Sequence, residues 1–531
     1  MGGVLSKQLS QISMLTAAIF AIVNLAIAQD TAPQQSSLSL IEALRFTLEK
    51  QPFIKLQKEQ VELKRGARLQ NAAPFDLLLQ SSFEQTHLNT PLDAVEAASL
   101  GVSGTNELSN ITDYTLSVGK VFRDGISVVS SYEAIRDANN SIDPGVNTAD
   151  LSFAVTFPLA RGRGKAAVDA AERAAYAEVD ATLLDLNQLI SQLLSSTASS
   201  YWNLVAANES LSITIDAEAR GKVYVDNVKA LVDADHVPRS DLNVAAANLA
   251  DRSSNRVAAQ QQVATAKEQL ALDMGISADQ VFNVPSPADA FPNGEEQPLP
   301  ADSSHALQYY LNQSLLHRAD YLAARRRIDE AQIQLTGAKN GLLPQLNINV
   351  GGGYSGLDAS RAYSQFFAAG ASSVTGPNAN IGISVSFPFF NSFARGQMTQ
   401  AVATKHQNEL LAVQVARGIG TAVVTATEAV RNAIVRLKNA RESVEFFQAA
   451  LDGERERYRA GISSFVDVLT IEDRLTNALT NRVQAELSYA LALVQFRFAT
   501  GTIVAPDHAV QTIEPKTLLT LPFEPNAGGG Q

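Results

Sequence analysis

The chain has no cysteine among its 531 residues. That excludes a disulfide framework, thiolate chemistry and a lipid anchor carried on a Cys side chain. Cationic side chains are also in deficit, with 42 Lys and Arg against 54 Asp and Glu. The resulting net charge of -12 argues against a nucleic-acid partner, whose phosphates select basic surfaces. The six histidines (His87, His236, His305, His317, His406, His508) are scattered, with no metal-ligand spacing, so no metal and no other cofactor is expected. Gly162-Arg163-Gly164-Lys165 is not a phosphate loop, because Leu159 stands where the motif needs Gly and Ala166 where it needs Ser or Thr. No nucleophile motif occurs, and an enzyme is not expected. Beyond the N-terminal region no apolar run approaches the length of a membrane helix. A membrane form of the chain must then be a closed β-barrel, the other structure that satisfies its backbone hydrogen bonds in lipid.

The N-terminus points to export. Lys7 is the only charged side chain in the first 28 residues, and an apolar stretch from Met14 ends in Ala26-Ile27-Ala28. This small-x-small ending, after a run shorter than the roughly 20 residues of a spanning helix, reads as a cleavable signal over 1–28. The retained alternative is a membrane anchor.

Internal repetition organises the remainder. Phe157-Pro158-Leu159 and Phe387-Pro388-Phe389 each close an alternating run and precede a long helical pattern bearing an Arg-Gly pair, Arg161-Gly162 and Arg395-Gly396. Later, Asp241 and Asp467 open second helical segments that close at Gly275 and Gly501, where left-handed caps are expected. The expected domains are a first repeat over 29–280, a Pro-rich linker over 281–302, a second repeat over 303–502 and an irregular tail over 503–531. Each repeat runs helix, strands, long helix, turn and return helix, with turns near 232–241 and 459–467.

The strands alternate large apolar with small or polar residues. Leu346, Ile348 and Val350 alternate with Gln345, Asn347 and Asn349, and Leu151, Phe153, Val155 and Phe157 with Ser152, Ala154 and Thr156. Such a period suits a wall between lipid and water, and equally a soluble sandwich with one buried face. Strands are expected within 75–158 and 344–389. Their number is four, or six if 112–135 adds a hairpin turning at Arg123-Asp124-Gly125. So few strands cannot enclose a water-filled passage alone, so a barrel must be shared between copies. The long segments, about 164–232 and 395–459, lack Pro and would each span on the order of 100 Å as helix. Narrow apolar stripes on 241–273 and 467–499 suit helix-on-helix packing.

Tyr458-Arg459-Ala460-Gly461, then Asp467-Val468-Leu469 and a helix ending at Gly501, together with Tyr201-Trp202-Asn203-Leu204 and the Phe-Pro strand ends, resemble the TolC-type outer-membrane efflux proteins over nearly all of the chain. The resemblance implies a mainly α fold with a membrane β-barrel. A homotrimer would share the barrel in outer-membrane lipid, antiparallel coiled-coil helices would form a periplasmic tunnel, and an adaptor would join it to an inner-membrane pump. It implies a gate at Asp467, Tyr458 and Asp241, with Thr470 where the family has a second ring aspartate and Ser463 where it has an arginine. Gly461, Asp235, His236 and Pro238 fall at the tips that would dock the adaptor. The residues themselves leave two roles open for Asp467 and Asp241: a negative constriction and helix capping. The rival reading of the whole chain is a non-channel coiled-coil scaffold of the cell envelope.

Overall fold

The computed structural model describes residues 37–141, 145–293, 303–359 and 365–504. The expected signal at 1–28, the later part of the expected linker and the tail beyond 504 lie outside them. In chain order come α1 (Leu40–Lys50), α2 (Pro52–Ala72), β1 (Leu77–Pro91), α3 (Ala94–Leu100), β2 (Asn106–Val121), β3 (Ser127–Asn139) and β4 (Val146–Pro158). There follow α4 (Ala170–Asp233), α5 (Arg239–Met274), α6 (Ser303–His317), α7 (Ala319–Gly341), β5 (Gln345–Asp358), β6 (Thr375–Ser386), α8 (Ser392–Arg459) and α9 (Phe465–Thr500). Backbone contacts divide the chain into two compact units, one of residues 1–51, 196–293 and 436–491 and the other of 52–195, 294–435 and 492–531.

Local chemistry sets the boundaries. Ser39 and Glu42 form a reciprocal capping box at the start of α1, satisfying two backbone donors that a helix leaves unpaired. Asp93 and Glu96 do the same for α3, a short helix in the β1–β2 connection that strand alternation does not signal. Gly275 (φ 74°) and Gly501 (φ 71°) take the left-handed conformation after α5 and α9, and each lies against backbone of another helix junction. A Cβ on Gly275 would come within 2.8 Å of Gln51 Cα, and one on Gly501 within 2.8 Å of the His317 carbonyl carbon.

One window of 18 residues in α8 reaches a mean hydropathy of 1.4. By average composition that window passes for a membrane helix, although, as expected from the sequence, no continuous apolar run of that length occurs in it. The cause is a helical stripe: Ala412, Ile419, Val423, Ala426 and Val430 are buried at helical spacing, and the Ala and Val between them raise the average without any continuous apolar run.

The first unit is centred on Tyr201 and Trp202 of α4, both fully buried. The Tyr201 hydroxyl meets the Leu38 carbonyl at 3.0 Å and an Asp289 carboxylate oxygen at 2.8 Å, and burial pushes its pKa above the usual phenol range. The Trp202 ring stacks on Phe291 at 5.6 Å. Trp202 is therefore a packing residue.

The second unit contains a six-stranded antiparallel sheet in the order β1-β2-β3-β4-β5-β6. Segment 112–135 does supply a hairpin, so the described residues contain six strands. The chain turns between Val121 and Ser127 through Gly125 (φ 95°), where a Cβ would collide with the Gly162 carbonyl oxygen at 1.8 Å. Directly opposed residues of an antiparallel pair share a face, so register assigns the two surfaces. Leu116, Tyr132, Leu151 and Tyr354 lie in one row across β2 to β5. Gln80, Ser117, Ser131, Ser152, Gly353 and Asn378 lie in a row of the other face. One surface is thus apolar and the other polar, the pattern of a wall between lipid and water. Phe366 and Phe367 pack on the apolar face: Phe366 is buried against Ala134, Ala149 and Ala369, and the Phe367 ring meets Tyr114 edge-on at 5.2 Å.

Candidate gate at the helix turns

Both candidate tips belong to the first unit and turn by the same hydrogen-bond pattern. After α4, Asp235 N–H donates to the Val232 carbonyl (3.0 Å) and His236 N–H to that of Leu231 (2.9 Å). After α8, Gly461 N–H donates to the Tyr458 carbonyl and Ile462 N–H to that of Arg457, both at 2.9 Å. These are left-handed helix caps, with Asp235 at φ 56° and Gly461 at φ 73°. Asp235, His236, Pro238 and Gly461 are all exposed.

The helices that leave the tips start differently. Pro238 precedes α5 and offers no side-chain cap. Its carbonyl accepts the Asp241 N–H at 3.1 Å, and the half-buried Asp241 carboxylate receives the Ser240 hydroxyl at 3.3 Å. Ahead of α9, the Asp467 carboxylate accepts the Ser464 hydroxyl (2.6 Å) and the Ser464 N–H (3.0 Å), while Asp467 N–H donates back to the Ser464 oxygen (3.3 Å). Asp467 is thus the acid of a capping box, and the Ser464 hydroxyl, followed by its N–H, holds the carboxyl below the usual carboxylate range. The carboxylate stays charged and exposed, so capping leaves it able to act on a passing ion.

The other expected residues surround this turn. The Tyr458 ring lies 6.5 Å from Phe465, and Phe465 meets Tyr224 of α4 at 5.7 Å, which joins the two helical hairpins by an aromatic contact. Thr470 is exposed, and its hydroxyl donates to the Val466 carbonyl of its own helix at 2.8 Å. The Ser463 hydroxyl oxygen is buried with no hydrogen-bond partner among the described residues. Arg459, at the end of α8, pairs with Glu456 on its own helix at 2.6 Å.

Sequence reasoning missed the group that ties the four helices together. Glu472 of α9 is fully buried. It is ion-paired to Arg220 of α4 and lies 3.6 Å from Arg252 of α5. Arg252 also reaches Asp473 at 3.0 Å and the Ala217 carbonyl at 2.9 Å. Arg455 of α8 donates to the Tyr224 hydroxyl at 3.3 Å, whose pKa burial raises. On one-dimensional reading each of these charges belongs to a solvated helix face. The available signal was Gly221, a glycine late in α4: a Cβ there would press on Arg252 Cδ at 3.2 Å. The one glycine of α4 makes room for a buried arginine.

Comparison with known proteins agrees with this architecture. The model of the outer membrane efflux protein family matches residues 310–502. Outer membrane protein TolC of Salmonella enteritidis is 25% identical over 378 residues, which is 70% of this chain and 72% of that protein. Among solved structures, the Campylobacter jejuni CmeC outer membrane channel aligns with a TM-score of 0.65 at 16% identity, over 88% of this chain and 87% of its own. The outer-membrane channel OprN aligns at 0.62 and 18%, over 87% and 90%. The Neisseria gonorrhoeae MtrE channel aligns at 0.61 and 15%, over 87% and 88%. At these identities the structural likenesses speak to the fold.

Proposed function

We propose that the chain is a member of the outer membrane efflux protein family, whose model matches residues 310–502, and that three copies share one barrel and enclose a passive exit gated at the helix turns. The protein is an outer-membrane channel-tunnel subunit for efflux, with its helical part in the periplasm. Proteins of this type work with periplasmic adaptors and inner-membrane pumps. The observation that carries the reading is the sheet with one apolar and one polar face. A soluble scaffold does not explain the apolar face, which it would leave in water. In this reading two tandem repeats, 29–280 and 303–502, form each subunit, joined by the 281–302 linker. The matched caps at Gly275 and Gly501 support that division.

The gate follows from symmetry. Three Asp467 carboxylates around one axis, with Asp241 and Tyr458 beside them, make a negative constriction that favours cations; Thr470 adds a hydroxyl where a second carboxylate would strengthen it. The exposed tips at Asp235, His236, Pro238 and Gly461 are the adaptor-docking surface. Purified protein in planar bilayers tests the reading. A small, cation-preferring conductance from a stable trimer is expected. Recovery as a soluble monomer without conductance would refute it.

A further inference from the structure

Among the described residues, the sheet's sequential order leaves β1 and β6 with one unpaired edge each, and open edges are not viable in lipid. Six strands in strict antiparallel alternation place β6 antiparallel to β1. The β6 of one copy can therefore meet the β1 of the next in the sense used by every other pair, which an odd count would forbid. The edges also match chemically. Leu79 and Phe83 of β1 (both 67% exposed) and Ile381 and Ile383 of β6 (78% and 72%) stand on the same apolar face by register. Gln80 and Ser384 lie on the opposite, polar face.

We propose that each edge is occupied by a second copy of this chain, β6 against β1, and that the closed barrel counts eighteen strands, three copies of six, with the β2–β3 hairpin built into the wall. The inference rests on the threefold channel reading above. Two observations place the hairpin in the wall and exclude an appendage. Its pairing with β1 and β4 is unbroken, from Leu77↔Lys120 to Pro91↔Asn106 and from Ser127↔Thr156 to Asp137↔Val146, and it continues both faces. The β5–β6 connection is also shaped to clasp it. Tyr132 of β3 donates its hydroxyl to the Phe367 carbonyl at 2.8 Å, and Phe367 lies on Tyr114 of β2. Gly356 admits the loop, since a Cβ there would meet the Ala369 carbonyl oxygen at 2.0 Å. Barrel width grows with strand number, and barrels of about 16–18 strands hold a water-filled passage. The wall itself would then impose no narrow point on cargo.

The absence of native cysteine makes the test clean. Leu79→Cys or Phe83→Cys, each combined with Ile381→Cys or Ile383→Cys in the full chain, should under oxidation give covalent dimers and trimers and nothing larger in at least one pairing. In separate variants, Ser117→Cys and Ser131→Cys on the polar face should react with a charged, water-soluble thiol reagent in outer-membrane vesicles, while Leu116→Cys and Val128→Cys should be protected. A native-gel trimer that yields no seam crosslink in any pairing would overturn the edge assignment. Equal labelling of all four hairpin sites in an intact trimer would put the hairpin outside the wall and reduce the barrel to four strands per copy. Loss of the trimer itself in the parent chain would instead remove the channel reading on which the proposal stands.

Discussion

The two helix turns of this chain share a backbone and differ in chemistry. Both close with the same pair of hydrogen bonds, but the first places Asp235 in the left-handed region where the second has Gly461. The first enters its return helix behind Pro238 with no side-chain cap, and the second behind the reciprocal Ser464–Asp467 pair. Glycine adopts φ > 0 at little cost, whereas an L side chain there costs about 1–2 kcal/mol, less for Asp and Asn. The second turn is therefore the better organised one, and it carries most of the residues assigned to the gate. Under the proposed gate, preorganisation and function would coincide at α8–α9, while α4–α5 would contribute Asp241 and an exposed tip.

The strongest way to break the comparison is to release the ion cluster that both hairpins share. Glu472→Ala leaves Arg252 buried without its central partner and removes the anchor of Arg220. Losing one member of a buried charge pair costs about 3–5 kcal/mol. Thermal unfolding followed by helical circular dichroism should register that loss, and bilayer conductance should rise if the cluster holds the two hairpins in a closed arrangement. Next in size is an exchange at the left-handed positions. Gly461→Asp should destabilise by about 1 kcal/mol, and Asp235→Gly should be neutral or mildly stabilising. Equal effects of the two substitutions on the melting temperature would mean that the turns are not energetically distinct.

Much of this was legible in one dimension. Period-2 alternation marks Leu151–Phe157 and Leu346–Val350 as two-faced strands, and the spacing from Asp467 to Gly501 marks a return helix, because both patterns are local. The hairpin was visible as a turn at Arg123-Asp124-Gly125. What commits it to the sheet is the fit of Gly125 against the Gly162 carbonyl, a contact that no local pattern encodes. Helix α3 carries a readable capping pair, Asp93 and Glu96, yet interrupts a region read as strand. The Arg220–Arg252–Glu472 cluster was illegible because its members lie on three helices, far apart in sequence, and a charged residue on an amphipathic helix looks the same whether its face meets water or another helix. Thr470 and Ser463 were seen as departures from the family pattern. The back-bonded Thr470 hydroxyl shows that the first of them has no free side-chain proton to offer the gate.

Smaller effects separate the two duties of Asp467. Ser464→Ala removes the hydroxyl half of the capping box and should cost about 1 kcal/mol. Because Ser464 holds the Asp467 carboxyl below its ordinary value, the associated stabilisation is present at neutral pH and is lost as pH falls through the folded-state value. The difference in stability between parent and Ser464→Ala should therefore narrow on acidification. A gap that stays constant to low pH would deny the carboxylate its part in the cap.

Asp467→Asn is expected to change folding least and selectivity most. The amide oxygen can still accept from the Ser464 N–H, so the turn keeps its shape while each copy loses one negative charge. If Asp467 lines the constriction, the cation preference of single channels and their block by multivalent cations should both fall. The corresponding change at the first turn, Asp241→Asn, should have a weaker effect, since that carboxylate is half-buried beside Ser240. Unchanged selectivity in Asp467→Asn, in a trimer that still conducts, would assign the residue to capping alone and move the search for the constriction to the charges around Glu472.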